Sequence, residues 1–226
     1  MKVMILAAGR GNRLRPLTDT CPKPLIKVCG KPLIVYHLEN LAAAGFTEIV
    51  INVRHLGEKI QAALGNGHAF GVNIAYSVED TELEVGGGIH NALPLLGNSP
   101  FVIVNGDIWT DYPFASLKHK NKGLAYLVLV DNPEHNLKGD YAILKNNVLK
   151  RDQLLPTFTY SGISVLHPDL FKEEVRGTSF RLAKCLDKAA QADLLFGEYF
   201  DGQWTDVGTL ERLQFLEQSL CSDKIR

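Results

Sequence analysis

A chain of 226 residues, 46% hydrophobic and 22% charged, can bury a full core in one domain without disulfide or metal staples. Its 24 Lys and Arg against 25 Asp and Glu leave a net charge of −1, without the basic excess of a nucleic-acid binder, and no apolar run approaches the ~18 residues of a membrane span. The N-terminal apolar stretch is short and is followed at once by Arg10, Arg13 and Arg15, so it reads as a buried strand over residues 3–7 and not as a cleaved signal. A helix is predicted over residues 32–44, with Pro32 in its first turn and Gly45 past its end. A strand at 48–53, a helix at 57–64 stopped by Gly65, a strand at 72–76, a helix at 88–95 and a strand at 101–104 follow. That alternation, with apolar strands, implies a parallel sheet covered on both faces. The second half is richer in strands, predicted at 125–130, 141–144, 148–150 and 157–165, with Asn146-Asn147 as a tight turn. Helices are predicted at 180–192 and 209–220. The expected fold is one α/β domain over residues 1–226, a Rossmann-like, mostly parallel sheet flanked by helices with a smaller antiparallel extension. Cys21, Cys29, Cys185 and Cys221 form no C-x-x-C pair, which predicts reduced thiols in a cytoplasmic protein and no zinc site.

The stretch after the first strand is the most informative. It reads Leu6-Ala7-Ala8-Gly9-Arg10-Gly11-Asn12-Arg13-Leu14-Arg15-Pro16-Leu17-Thr18, with Pro22-Lys23-Pro24-Leu25 close behind. Two glycines let backbone N–H groups approach an anion, and three arginines and Lys23 add positive charge. Prolines at 16, 22, 24 and 32 exclude regular helix through much of the segment. Such a loop at the carboxyl end of a parallel strand suits a triphosphate. It is not a P-loop, because Gly-Lys-Ser/Thr is absent, and it lacks the third glycine and the acidic residue of a dinucleotide fingerprint. A nicotinamide oxidoreductase is disfavoured on that ground.

Other constellations carry less weight alone. Asp107 follows a predicted strand, and Asp206 precedes a predicted helix, where a cap is the ordinary role. Gly86-Gly87-Gly88 costs conformational entropy, which points to a close approach, either to a ligand or in a tight turn packed on the sheet. Asp111 reads as a cap or a solvent-facing residue. The seven histidines show no ligand spacing and read as structural or surface groups. No nucleophile elbow is present.

The glycine loop with Pro22-Lys23-Pro24-Leu25, then Asn105-Gly106-Asp107 and Trp204-Thr205-Asp206-Val207-Gly208-Thr209, resembles the signature of sugar-1-phosphate nucleotidylyltransferases along nearly the whole chain. Segments 83–89, 104–112, 129–133 and 161–168 resemble the family's short members, which use UTP in peptidoglycan recycling and carry no acyltransferase extension. The resemblance implies a nucleoside triphosphate and a sugar 1-phosphate as substrates, with residues 1–110 mainly holding the nucleotide and 111–226 mainly the sugar. It implies Mg²⁺ on Asp107 and Asp206, and catalytic roles for Arg13, Lys23 and Asp107. The nucleotide would meet Leu6, Ala8, Gly9, Gly11, Asn12, Arg13, Lys23, Glu79, Gly86 and Gly87. The sugar would meet Asn105, Gly139, Asp140, Ser161 and Gly162. Two departures stand out: Val85 replaces a threonine of close patterns, and the Glu-Lys-Pro segment of many hexose relatives is missing, with Arg151-Asp152 roughly in its place. A choline-phosphate cytidylyltransferase and a non-catalytic nucleotide-sugar regulator are the alternatives; the second is expected to have lost Arg13, Lys23 or Asp107, and all three are present. Neither nucleic acid nor membrane is expected as a partner, and the oligomer is a monomer or a homodimer.

Overall fold

Val3–Leu6 (β1) is apolar at every position, and a strand of that kind needs cover on both faces. In the computed structural model, which describes residues 1–152 and 154–223, it lies inside a nine-stranded sheet. A long segment follows, with a short α-helix, Leu17–Thr20 (α1), between two 3₁₀ turns, and a hairpin of Lys27–Val28 (β2) and Lys31–Pro32 (β3). The chain then alternates as predicted: Leu33–Ala43 (α2), Glu48–Val53 (β4), Gly57–Leu64 (α3), Asn73–Val78 (β5), Glu84–Leu96 (α4) and Phe101–Asn105 (β6). Strands β5, β4, β1 and β6 lie side by side and parallel. Their register sets Leu6 opposite both Asn52 and Asn105. One sheet edge therefore collects the ends of β4, β1 and β6, where a ligand of such a sheet binds.

The second half adds Ile108–Thr110 (β7), Ala125–Val130 (β8), Tyr141–Ile143 (β9), Leu149–Lys150 (β10), Thr157–Leu166 (β11), Leu182–Gln191 (α5), Leu195–Tyr199 (β12), Trp204–Asp206 (β13) and Leu210–Asp223 (α6). Strand β11 runs antiparallel between β6 and β8, and β12 joins β8 in parallel. The start of β11 pairs with β9, which pairs with β10, making the antiparallel extension. Asn146 and Asn147 both take positive φ in the turn between β9 and β10, as asparagine tolerates. Strands β7 and β13 form a separate ribbon.

Helices α2 and α3 bury Ile34, Leu38, Leu41 and Ile60 against one face of the sheet. Helices α4 and α5 bury Ile89, Ala92, Leu186 and Ala189 against the other. A third cluster joins Leu14 of the glycine loop and Val28 of β2 to Val207, Leu213 and Leu216 at α6. Among the described residues no helix is long and apolar enough to cross a membrane.

Several expectations change. Strands β2, β3, β7 and β12 were not predicted; Gly197 and Glu198 interrupt the apolar pattern of β12. The cysteines are not all free: Cys29 and Cys221 form a disulfide across 192 residues of sequence, while Cys21 and Cys185 are free thiols. The third cluster is what brings α6 against the β2–β3 hairpin. Helix α4 begins at Glu84 and so contains the three glycines, which close on the protein itself. A Cβ at Gly86 would stand 2.5 Å from the Phe180 ring, one at Gly87 2.4 Å from the Thr178 carbonyl, and one at Gly88 2.5 Å from Glu79 Oε1.

Gly87→Ala should therefore lower thermal stability. The obstructing atom is backbone, and the Gly87 N–H donates to the Phe180 carbonyl at 3.2 Å, so neither partner can retreat. Overpacking of ~1–3 kcal/mol corresponds to a fall of roughly 2–12 °C for a chain of this size. Gly9→Ala, whose Cβ meets nothing within 4 Å, is the control in the same calorimetric scan. Equal melting temperatures would refute this packing role.

Candidate active site

The glycine loop is held by its own side chains. Leu14 is buried in the third cluster. The Thr18 hydroxyl donates to the Gly11 carbonyl at 2.9 Å. Gly11 sits at φ 66, and a Cβ there would meet Thr18 at 2.8 Å, so only glycine fits. Gly9 has open space beside its Cα, room that a ligand can enter.

Two cavities border this loop, and a third adjoins the first. The first, about 240 Å³, is lined by Leu6, Ala8, Gly9, Lys23, Glu79, Asn105 and Asp107, among others. The cavity of the glycine loop, which the resemblance assigns to the polyphosphate, is about 230 Å³ and is lined by Gly9, Gly11, Asn12, Arg13, Lys23 and Asp107. The last, about 280 Å³, is lined by Asn105, Asp140 and Arg151 and meets the first at Glu84, Val85 and Asn105. Gly9, Lys23 and Asp107 belong to both of the first two cavities.

At that junction Lys23 Nζ lies 2.5 Å from Asp107 Oδ2. The Lys23 side chain is 11% exposed and that of Asp107 38%. The lysine is thus aimed from a nearly buried position, between Pro22 and Pro24. Asp206 ends β13 opposite Ile108, and the Val207 N–H donates to the Asp107 carbonyl at 2.8 Å. The two aspartates are therefore neighbours on the β7–β13 ribbon. The carboxylate of Asp206 pairs closely with Arg212, and His135 Nε2 lies 3.4 Å away. Among the described residues no group of three or more His, Cys, Asp and Glu forms a metal cage. The proximity is between backbones, and Asp206 lines none of the three cavities; two carboxylates, with the remaining positions left to phosphate oxygens and water, are the kind of donor set that suits Mg²⁺.

Asn52 was not predicted. Its side chain accepts from the Ala7 N–H at 2.8 Å and donates to Glu79 Oε1 at 2.7 Å, both buried bonds. It ties the β1 loop to Glu79 at the wall of the first cavity. Burial pushes the Glu79 carboxyl above its usual range, and the Asn52 bond partly offsets this. The available signal was one amide near the end of an otherwise apolar strand. Arg212, at the start of α6, and His135, in the turn after β8, were missed as well.

Not every predicted residue lines a cavity. Gly86 and Gly87 lie behind the wall, against Phe180 and Thr178. Ser161 is buried, and its hydroxyl donates to the Val128 carbonyl at 2.7 Å and accepts from the Ile163 N–H at 3.2 Å. It holds a bulge where β11 slips against β8 between Tyr160 and Ser164, so its side chain does not face the cleft. Gly162, in that bulge, takes φ 84, and a Cβ there would fall 2.5 Å from the Asn105 amide. Glycine at 162 thus gives Asn105 its place in the cleft wall. Gly139, at φ 58, abuts Asn132 and Thr157 and serves the turn before Asp140. Asp140 lines the last cavity while its Oδ2 accepts from the Tyr160 N–H at 2.8 Å. Asp111 accepts from the Gln203 N–H at 2.8 Å and closes the end of the ribbon. His37 is buried, and burial lowers its imidazole to about 4, a neutral core group.

A family model described as nucleotidyl transferase matches residues 2–222. The chain is 48% identical over 221 residues to a protein of Neisseria meningitidis serogroup B named N-acetylmuramate alpha-1-phosphate uridylyltransferase, covering 95% of this chain and 96% of that one. It is 35% identical over 225 residues to a mannose-1-phosphate guanyltransferase of Aspergillus fumigatus, covering 92% of this chain but 61% of that enzyme. The fold matches a crystal structure of a putative glucose-1-phosphate thymidylyltransferase from Bacillus anthracis, with TM-score 0.82, 24% identity and coverage of 97% and 94%. A UDP-glucose pyrophosphorylase complexed with UDP-glucose matches with TM-score 0.79, 21% identity and 98% coverage of both chains.

Proposed function

The chain belongs to the nucleotidyl transferase family, and from that premise we propose that it joins UTP to N-acetylmuramic acid 1-phosphate, giving UDP-N-acetylmuramic acid and pyrophosphate in cell-wall recycling. The observation that carries this choice within the family is the 48% identity to the Neisseria uridylyltransferase over nearly the full length of both chains. The cavities suit the three parts of such a reaction. The first takes the nucleoside, the polyphosphate-loop cavity takes the β and γ phosphates, and the last takes the sugar.

The attacking atom is a phosphate oxygen of the sugar 1-phosphate. It is already anionic, so no general base is needed. It bonds to the α-phosphorus as the bond to pyrophosphate breaks. The protein must hold two polyanions in line and stabilise the charge that moves to the leaving group. Lys23, shared by the first cavity and the polyphosphate-loop cavity, is placed to contact the α-phosphate or the incoming phosphate. Arg13, in the polyphosphate-loop cavity, faces the departing pyrophosphate. Backbone N–H groups from Gly9 to Arg13 cradle the β and γ oxygens. Asp107 and Asp206 would hold Mg²⁺, which supplies positive charge to phosphate oxygens when bound. UTP as substrate fits a reaction carried out in the cytoplasm.

Pyrophosphate release is the test, across four nucleoside triphosphates and the 1-phosphates of N-acetylmuramic acid, N-acetylglucosamine, glucose and mannose. The highest kcat/KM is expected for UTP with the muramyl substrate. A higher value for N-acetylglucosamine or glucose 1-phosphate, or for GTP with mannose 1-phosphate, would overturn this substrate choice and leave the family membership standing.

A further inference from the structure

The substrate proposed above poses a charge problem that neutral sugars do not. The lactyl ether of muramic acid ends in a carboxylate, so the enzyme must seat a second anion away from the phosphate. We infer that Arg151 and Arg181 form the site that binds this carboxylate and so select an acidic sugar; the inference rests on the proposed function.

The cavity beyond Asn105 is where a sugar leaving the Lys23–Asp107 junction must extend. At about 280 Å³ it is near the ~300 Å³ at which small-ligand pockets begin. Two arginines line it, Arg151 just after β10 and Arg181 just before α5, together with the apolar side chains of Leu182 and Leu186. A guanidinium presents a planar fork that matches a carboxylate. Arg151 lies over the Tyr141 ring, 5.2 Å from its centroid. Its closest anionic contact is through Nε, 2.9 Å from Asp187 Oδ1. That same oxygen accepts from the Tyr141 hydroxyl at 3.0 Å. The arginine is thus fixed along one edge by a ring and a carboxylate.

Arg181 approaches Glu84 through Nε at 3.4 Å and is 83% exposed, so this pair holds it weakly. Glu84 takes φ 55, a conformation that is uncommon and costly outside glycine. It is kept there by a clamp. The Phe180 N–H donates to the Leu83 carbonyl at 3.1 Å, and the Gly87 N–H donates to the Phe180 carbonyl at 3.2 Å. This clamp fixes the residues next to Glu84 and next to Arg181 in one unit, at the border of the nucleoside and sugar cavities. Of the acids lining the sugar cavity, Asp140 is engaged by the Tyr160 N–H and by Asn136 Nδ2 at 3.3 Å, and Glu84 stands in its exposed pair with Arg181. A ligand carboxylate entering there would compete with Glu84 only for this weak pair.

The experiment measures kcat/KM for the 1-phosphates of N-acetylmuramic acid and N-acetylglucosamine, each with UTP, in wild type, Arg151→Gln, Arg181→Gln and the double variant. The ratio of the two values should fall about ten-fold in each single variant and about a hundred-fold in the double, mainly through KM, as expected for loss of hydrogen bonds to a charged group. Arg151→Lys and Arg181→Lys should recover part of the ratio. A second arm needs no variant: the methyl ester of the lactyl carboxylate should lose the advantage of the acid with wild-type enzyme. If wild type prefers the muramyl acid but the ratio stays fixed in folded variants, or if the ester is used as well as the acid, the arginine assignment is wrong and the proposed function stands. If wild type prefers N-acetylglucosamine 1-phosphate, the proposed substrate itself fails, and this inference with it.

Discussion

Asp107→Asn is expected to fold normally and to lose at least ~10²-fold in turnover, the usual scale for a positioned electrostatic group. A bond that extends the β7–β13 pairing uses the backbone carbonyl of Asp107, which receives the Val207 N–H at 2.8 Å, and asparagine keeps it. What disappears is a charge. That charge faces both the first cavity and the polyphosphate-loop cavity and neutralises a nearly buried lysine. Steady-state kinetics at saturating Mg²⁺, with a melting curve to show folding, decide the matter. Near-wild-type turnover would remove Asp107 from the list of metal ligands.

Lys23→Ala should lose ~10²-fold or more in kcat/KM, against only a few-fold for Arg10→Ala. The two cations are 13 positions apart in one loop, yet their surroundings differ. Lys23 follows Pro22 and precedes Pro24, is 11% exposed, and contacts Asp107 at 2.5 Å. Arg10 is 49% exposed and reaches Glu82 at 3.9 Å, a surface pair worth ~0–1 kcal/mol. The comparison is kinetic, with each variant assayed at several salt concentrations. Similar losses for both would mean that the loop acts by diffuse positive charge and that no single cation is aimed.

What could be read from the sequence was what local pattern encodes. Apolar runs separated by helical periods produced the parallel strands β1, β4, β5 and β6, and the glycines, prolines and cations of residues 9–24 marked a loop that borders two cavities. Both depend on neighbours in the chain. The misses depend on partners that are distant in sequence. Asn52 matters because β4 lies beside β1, and His135 matters because the turn after β8 comes to the end of β13. Cys29 meets Cys221 only because α6 packs on the β2–β3 hairpin. The glycine triplet pointed correctly to a close approach, but nothing local distinguishes a ligand from the carbonyl of Thr178. Ser161 looked like a polar group for the sugar, and its hydroxyl is used by the bulge that lets Gly162 accommodate Asn105.

The β7–β13 ribbon also has a bearing on biosynthesis. A ribosome makes the polyphosphate loop and Asp107 in the first half of the chain, but Asp206 emerges close to the end, and only its pairing with β7 sets the two aspartates side by side. A prematurely terminated chain that stops before Trp204 would carry the loop and its lysine but lack the second carboxylate. The pair proposed to hold the metal would then be incomplete, so the two halves of the chain are jointly required at one point.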